Sequence, residues 1–358
     1  MTNAGLLFIP DISGFTKFVN ETEIEHSRYI IAELLESIIN SNKIGLTISE
    51  IEGDAVLFYR FGKMPSLQEI YEQVEIMFCN FQKKIKNYEL RRGCQCRACV
   101  AAVNLSLKII THYGEFSTYN VKSYNKLIGK DVIVAHQLLK NDIDLHEYLL
   151  ITADSLTPEN DNVPQWMKWQ QGRKLTEKGE VNYQYSMLTS LKESVQADPL
   201  PDLGLGDKKI KFLSVSKTIN AMLITVLSII GNLSLRPKWM EGVTKVEMIS
   251  HPINHLGVKH RSIYNGRRVN FYSSTLSQHD NIFCYSETDE QKKNSIDFTI
   301  TALAENKTLV TIDYCLNKNY LSRLFFSFIQ KKKLLRQLET SLNNLAQLIQ
   351  QGEGYMPE

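Results

Sequence analysis

Residues 191–207 (LKESVQADPLPDLGLGD) divide the chain. Prolines at 199 and 201 and glycines at 204 and 206 break both helical and strand periodicity, and acidic residues run through the stretch. With 358 residues, the chain is longer than one domain usually needs. The break therefore predicts two domains, 1–190 and 208–350, joined by a linker at 191–207. The patterning differs on its two sides.

Before the break, strand and helix signals alternate. Leu6–Ile9 is a short apolar strand. Residues 25–40 carry Ile30, Ile31, Leu34, Leu35, Ile38 and Ile39 at helical spacing. Thr47–Glu52 and Ala55–Arg60 flank Gly53-Asp54, a hairpin signal. Leu67–Tyr88 is a second helix with Ile70, Val74, Met77, Phe78, Phe81 and Ile85 on one face. A strand at 106–112, a helix at 130–139, a strand at 148–152 and a closing strand at 183–188 follow. This order predicts an α+β domain of ferredoxin-like type rather than a doubly wound sheet.

Two carboxylates stand out in this half. Asp11 ends the apolar run of LLFIPDISGFTKFV, and Asp54 follows Gly53 at the hairpin tip. Asp11-Ile12-Ser13-Gly14-Phe15-Thr16, then Gly53-Asp54, then Leu107 to Phe116 (LKIITHYGEF) resemble the successive motifs of class III nucleotidyl (adenylate and guanylate) cyclase domains. The resemblance covers roughly residues 5–190. It implies that Asp11, the backbone of Ile12, and Asp54 hold Mg²⁺ or Mn²⁺ for a nucleoside triphosphate; such hard ions take carboxylate and phosphate oxygens together. It also implies a homodimer through this domain. Glu50 and Lys126 fall on the two positions that read the base. Glu50 fits the guanine pattern, and Lys126 fits neither the guanine nor the adenine pattern. In Gly129–Gln137 the likeness fails. The family's transition-state Asn and Arg fall on Ile133 and Gln137, which cannot orient a ribose or meet charge developing at the α-phosphorus. The expectation is a degenerate cyclase homologue that binds nucleotide, in a binding or regulatory protein; the alternative is an active cyclase with another clamp, regulated by the C-terminal domain.

Cys94-Gln95-Cys96-Arg97-Ala98-Cys99 packs three of the six cysteines into six residues. Thiols so close suit a soft tetrahedral ion such as Zn²⁺. Cys79, a histidine such as His112, water or a partner chain are the candidate fourth ligands. A redox-labile cluster, or a cysteine-rich loop with no ion, are the other readings.

After the break come a strand (208–218), a short apolar helix (219–230), a second short helix near 233–241, strand-like runs to residue 317 with an Asn265-Gly266 turn, and a long helix from 320 to 350. This order, with the run Leu235 to Val243 (LRPKWMEGV), is similar to the START-like helix-grip (SRPBCC, polyketide-cyclase-like) fold, a seven-stranded antiparallel sheet around a C-terminal helix. The two-domain arrangement resembles an uncharacterised bacterial family. The resemblance implies a cavity for a hydrophobic small molecule or lipid, and the aromatics Phe271, Tyr272, Phe283, Tyr285, Phe298, Phe325, Phe326 and Phe328 are its candidate lining. A net charge of +2 without a long basic tract gives no nucleic-acid partner to expect. The absence of a basic n-region before an apolar stretch at 1–10, six cysteines that read as reduced thiols or metal ligands rather than disulfides, and the shortness of the apolar window at 219–230 lead to a cytoplasmic, soluble expectation. Lys331-Lys332-Lys333 reads as a solvated helix face.

Overall fold

The computed structural model describes residues 3–152, 164, 166–319 and 328–352, with side chains omitted for 328–330. It divides into two compact units. One comprises Met1–Asn87 and Ala101–Asp198, the other Tyr88–Val100 and Pro199–Glu358.

In the first unit, β1 (Asn3–Ser13) is an interior strand of the sheet. Leu6, Leu7, Phe8 and Ile9 are all at most 1% exposed, so both faces of the strand are covered, which is why the sequence there is continuously apolar rather than alternating. On one side β1 pairs antiparallel with β3 (Ala55–Phe61), which forms a hairpin with β2 (Thr47–Glu52). On the other it pairs antiparallel with β4 (Ser106–Val121). β4 runs parallel to β6 (Tyr148–Thr152), and β7 (Gln170–Thr176) with β8 (Gly179–Met187) completes the order β2-β3-β1-β4-β6-β8-β7. The far half of β4 folds back on β5 (Tyr124–Ile128) as a separate hairpin.

Helices α1 (Phe15–Glu21), α2 (Ile24–Asn40), α3 (Leu67–Arg91) and α5 (Lys130–Leu139) clothe the sheet, and α6 (Thr189–Ser194) follows β8; the single turn α4 (Arg97–Ala101) falls almost wholly in the second unit. The stripe expected on α3, from Ile70 to Ile85, is at most 3% exposed throughout. Val132, Val134, Ala135 and Leu138 of α5 share a core with Leu7, Ile9, Leu57 and Ile110. Each of the valine, leucine and isoleucine side chains contributes roughly 1.5–3 kcal/mol by leaving water.

The second unit holds a seven-stranded, wholly antiparallel sheet of order β10-β11-β12-β13-β14-β15-β9. Its strands are β9 (Lys209–Ile219), β10 (Val243–Met248), β11 (Lys259–Tyr264), β12 (Arg267–His279), β13 (Ile282–Asp289), β14 (Asn294–Ala304) and β15 (Lys307–Asn317). Between β9 and β10 lie α7 (Leu223–Gly231) and the short α8 (Arg236–Trp239). Asn265 and Gly266 turn β11 into β12 with φ of 46° and 87°, the left-handed pair that suits a tight hairpin. The closing helix α9 is described from Phe328 to Gln350. Its Leu338, Leu342, Leu345 and Ala346 lie in one core with Val215, Trp239, Phe283, Phe298 and Ile312. Lys331, Lys332 and Lys333 are exposed, as expected of a solvated face. Among the described residues, no helix is long and apolar enough to cross a membrane.

Candidate functional site

Pairing register brings the first carboxylate to its neighbours. Asp11 lies opposite Ala55 on β3 and opposite Lys108 on β4. Asp54 reaches the same place from the β2–β3 tip, where Gly53 takes a φ of 62° that few other residues tolerate. The Ile12 amide donates to the Asp54 carbonyl at 2.9 Å and ties the tip to the end of β1. Asp11, Ile12, Gly14, Asp54, Lys108 and His146 are among the residues lining one recess of about 340 Å³.

The electrostatics of this recess favour a cation. Burial pushes the Asp11 carboxyl up to about 6, against the opposing pull of Lys108 and with a further push from the charge of Asp54. Burial likewise raises Asp54. The Lys108 Nζ stands 3.5 Å from Asp11 Oδ1 and donates to the Leu139 carbonyl at 3.3 Å. Two desolvated carboxylates with one lysine between them leave negative charge uncompensated. Hard oxygen donors in that state fit Mg²⁺ or Mn²⁺. Lys108 and His146 are residues that motif reading missed. Lys108 was visible as a lone charge inside an apolar strand; His146, in a loop, gave no signal.

The two positions matched to base reading are paired with each other. The Lys126 ammonium on β5 forms an ion pair with the Glu50 carboxylate on β2, which raises the lysine further. The Glu50, Glu52 and His136 side chains each bring a ligand atom within 4.8 Å of the others, and Lys126 already occupies Glu50. At the clamp positions, Ile133 is 49% exposed on α5, while Gln137 Oε1 accepts from the Glu177 amide at 3.1 Å. Gln137 therefore holds the β7–β8 turn.

His112 was one of the candidate fourth zinc ligands. Its ring is instead committed within the first unit, with Nε2 2.9 Å from Asp131 Oδ1 and Nδ1 3.1 Å from Thr152 Oγ1. Burial alone would raise Asp131; hydrogen bonds from Lys178, His112 and the Glu115 amide outweigh it and hold the carboxyl below its usual range. That network consumes both ring nitrogens, which removes His112 from the candidates.

The comparisons bear mainly on this first unit. Residues 31–148 match the family described as Protein of unknown function (DUF2652). Over 122 residues the chain is 34% identical to the Uncharacterized protein Rv2561/Rv2562 of Mycobacterium tuberculosis, a match spanning 34% of this chain and 57% of that protein. The chain thus spans little more than half the length of this curated relative. Among solved structures it is similar to the guanylate cyclase domain of RhGC from Catenaria anguillulae in complex with GTP, at 14% identity and a TM-score of 0.38, over 52% of this chain and 96% of that one. It is also similar to the adenylyl cyclase CyaB from P. aeruginosa, at 17% identity and a TM-score of 0.36, over 52% of this chain and 94% of that one.

The second unit contains a cavity of about 650 Å³. Of the aromatics expected to line it, Phe271 does so; Phe283, Tyr285 and Phe298 are core residues instead, with the Tyr285 and Phe298 rings stacked at 5.8 Å. The Tyr272 ring lies under the Lys259 ammonium at 5.7 Å. Phe325 and Phe326 fall outside the described residues, and so does the side chain of Phe328. The walls are mixed, with Ile296, Leu334 and Leu338 beside the cations Arg267, Arg268 and Lys293 and the carboxylates Glu241, Asp289 and Glu290. Among the core residues, Arg236 grips Glu287 with two hydrogen bonds of 3.0 and 2.7 Å, and both residues are 1% exposed. The guanidinium also lies over the rings of Trp239 and Phe298, at 5.1 and 5.3 Å.

Proposed function

We propose that the first unit binds a nucleoside triphosphate together with Mg²⁺ or Mn²⁺, as a degenerate relative of the class III nucleotidyl cyclases, and that the chain acts as a binding or regulatory protein. The observation that carries this reading is the convergence of Asp11, Asp54 and Lys108 on one recess. In it, Asp11 and Asp54 supply the anionic oxygens that a divalent ion requires, and Lys108 supplies a positive charge for phosphate oxygens. A divalent ion, when bound, draws charge from those oxygens. Glu50 and Lys126 offer an acceptor and a donor to a base, at the expense of their mutual pair.

What argues against turnover is the state of α5. An exposed Ile133 and a Gln137 engaged with the Glu177 amide leave no group there to orient a ribose or to meet developing charge. Removal of one such donor commonly costs ~10²–10³ in rate. A homodimer through this unit is supported by the apolar side chains left exposed on the β4–β5 hairpin, Tyr119, Val121, Tyr124 and Ile128.

For the second unit we propose a helix-grip cavity that takes a small amphipathic molecule. Apolar walls suit the body of such a ligand, and a lining that holds both cations (Arg261, Arg267, Arg268, Lys293) and carboxylates (Glu241, Asp289, Glu290) suits polar groups on it better than the wholly hydrophobic ligand first expected.

The test is to restore the family pair. Ile133→Asn with Gln137→Arg is expected to raise formation of cyclic nucleotide from ATP or GTP above that of the parent chain. An unchanged background in a variant that still binds nucleotide with metal would show that more than the clamp has been lost.

A further inference from the structure

Three thiols stand outside the nucleotide reading. They belong to the segment that leaves α3 and enters α4, and its backbone is pinned up to the first cysteine. The Gly93 and Cys94 amides both donate to the Asn254 carbonyl, at 3.2 and 3.0 Å. The Leu256 amide donates to the Arg91 carbonyl at 2.7 Å, and Arg92 forms a β-bridge with His255. Cys94 thus leaves an anchored extended stretch. Cys96 stands just ahead of α4, where its carbonyl accepts from the Val100 amide at 3.0 Å, and Cys99 follows within that turn. The spacing folds the three side chains inward, and their Sγ atoms lie within 4.8 Å of one another. Cys94 and Cys99 are fully buried and Cys96 partly so, and all three are free of disulfides.

Close packing of three sulfurs has an alternative explanation as a small apolar core. The clustering itself weighs against it. An apolar core would be served as well by alanine or valine, without three polarizable acids crowding one point. In a tetrahedral zinc site with bonds of about 2.3 Å, sulfurs lie roughly 3.8 Å apart, inside the spacing found. A sulfur-rich donor set selects Zn²⁺ over the hard ions suited to Asp11 and Asp54.

We propose that Cys94, Cys96 and Cys99 hold one Zn²⁺, with a nitrogen or oxygen ligand completing the tetrahedron because the segment carries no fourth sulfur. The ion fastens an irregular segment that has little core of its own, and it is independent of nucleotide binding.

The experiment uses the full chain purified without chelator from zinc-supplemented medium. Elemental analysis is expected to find one zinc per chain. X-ray absorption at the zinc edge is expected to count three sulfurs at about 2.3 Å and one lighter ligand at about 2.0–2.1 Å. Cys96→Ser, the substitution at the least buried of the three, is expected to drop the zinc content well below stoichiometric while the protein stays folded. The triple serine variant is expected to lose zinc entirely. Should that variant fail to fold, stripping the parent chain with a chelator and refilling it with zinc, followed by thermal melting, gives the same information. A melting temperature that falls on stripping and returns on refilling supports the site. Zinc-free parent protein, full zinc retention by Cys96→Ser, or a reversible disulfide within the trio would overturn it.

Discussion

Lys108 and Asp11 face each other in register across β4 and β1, and the lysine ammonium stands 3.5 Å from the carboxylate. The pair is a partial answer to a charge problem. One lysine offsets one carboxylate, but burial still pushes Asp11 up to about 6, and Asp54 adds its charge to the same recess.

Asp11→Asn is expected to stabilise the metal-free protein at neutral pH. Its carboxyl is raised above the unfolded value of about 3.9, so ionisation is disfavoured in the folded state and stability falls as pH rises from about 4 through 6. Removing the charge should add on the order of 1–3 kcal/mol above pH 6, and the difference should fade near pH 4. Urea unfolding at pH 4, 6 and 8 checks it. A variant less stable than the parent at pH 8 without metal would mean that the Lys108 pair outweighs desolvation.

Lys108→Met is expected to weaken triphosphate binding by about 10–100-fold, the loss of one charged hydrogen bond of ~1.5–3 kcal/mol. Titration calorimetry with a non-hydrolysable triphosphate reads the change. Undiminished affinity would remove Lys108 from the phosphate site.

Glu50→Ala is expected to change stability by less than about 1 kcal/mol, because its pair with Lys126 is partly solvated. Its effect should fall on base preference instead, lowering the ratio of GTP to ATP affinity by roughly 10-fold or more. Competition binding with the two nucleotides tests this. An unchanged ratio would mean that neither Glu50 nor Lys126 reads the base.

In the second unit, Glu287→Gln is expected to cost about 3–5 kcal/mol, because it leaves the Arg236 guanidinium buried without its counter-ion. Arg236→Met combined with Glu287→Leu should recover most of that loss, since a buried ion pair often does no better than apolar side chains of its size. The Arg236 charge, with His260 adding to it, overcomes burial and holds Glu287 well below the carboxylate range. This contribution is complete above the unfolded carboxylate value near 4.3 and is lost as pH falls further. Chemical denaturation of the single and double variants at pH 3 and pH 7 provides the cycle.

Legibility followed burial. The β2–β3 hairpin, α5 and β6 coincide with their sequence patterns because each carries a clear apolar period or a strong turn. β5 and β7 escaped notice, as did the far half of β4. Their residues, such as Asn120, Tyr124, Gln170 and Arg173, are exposed or half-exposed, so no alternation marks them. The apolar window at 219–230 predicts one helix, but β9 runs to Ile219 and α7 starts at Leu223. The two carboxylates were legible as a motif. The Asp11–Lys108 contact was not, because it depends on strand register. The Glu50–Lys126 pair was hidden for the same reason, since it needs the β4–β5 hairpin to return to β2.

The most direct test is to titrate the pure chain with ATP and with GTP, with and without Mg²⁺ or Mn²⁺, and to analyse the same samples for cyclic product. Saturable binding that requires the divalent ion, disappears in Asp54→Asn and yields no cyclic nucleotide is the predicted result. Turnover at an ordinary enzymatic rate of ~1–10³ per second, or binding that is indifferent to metal and to Asp54, would contradict it.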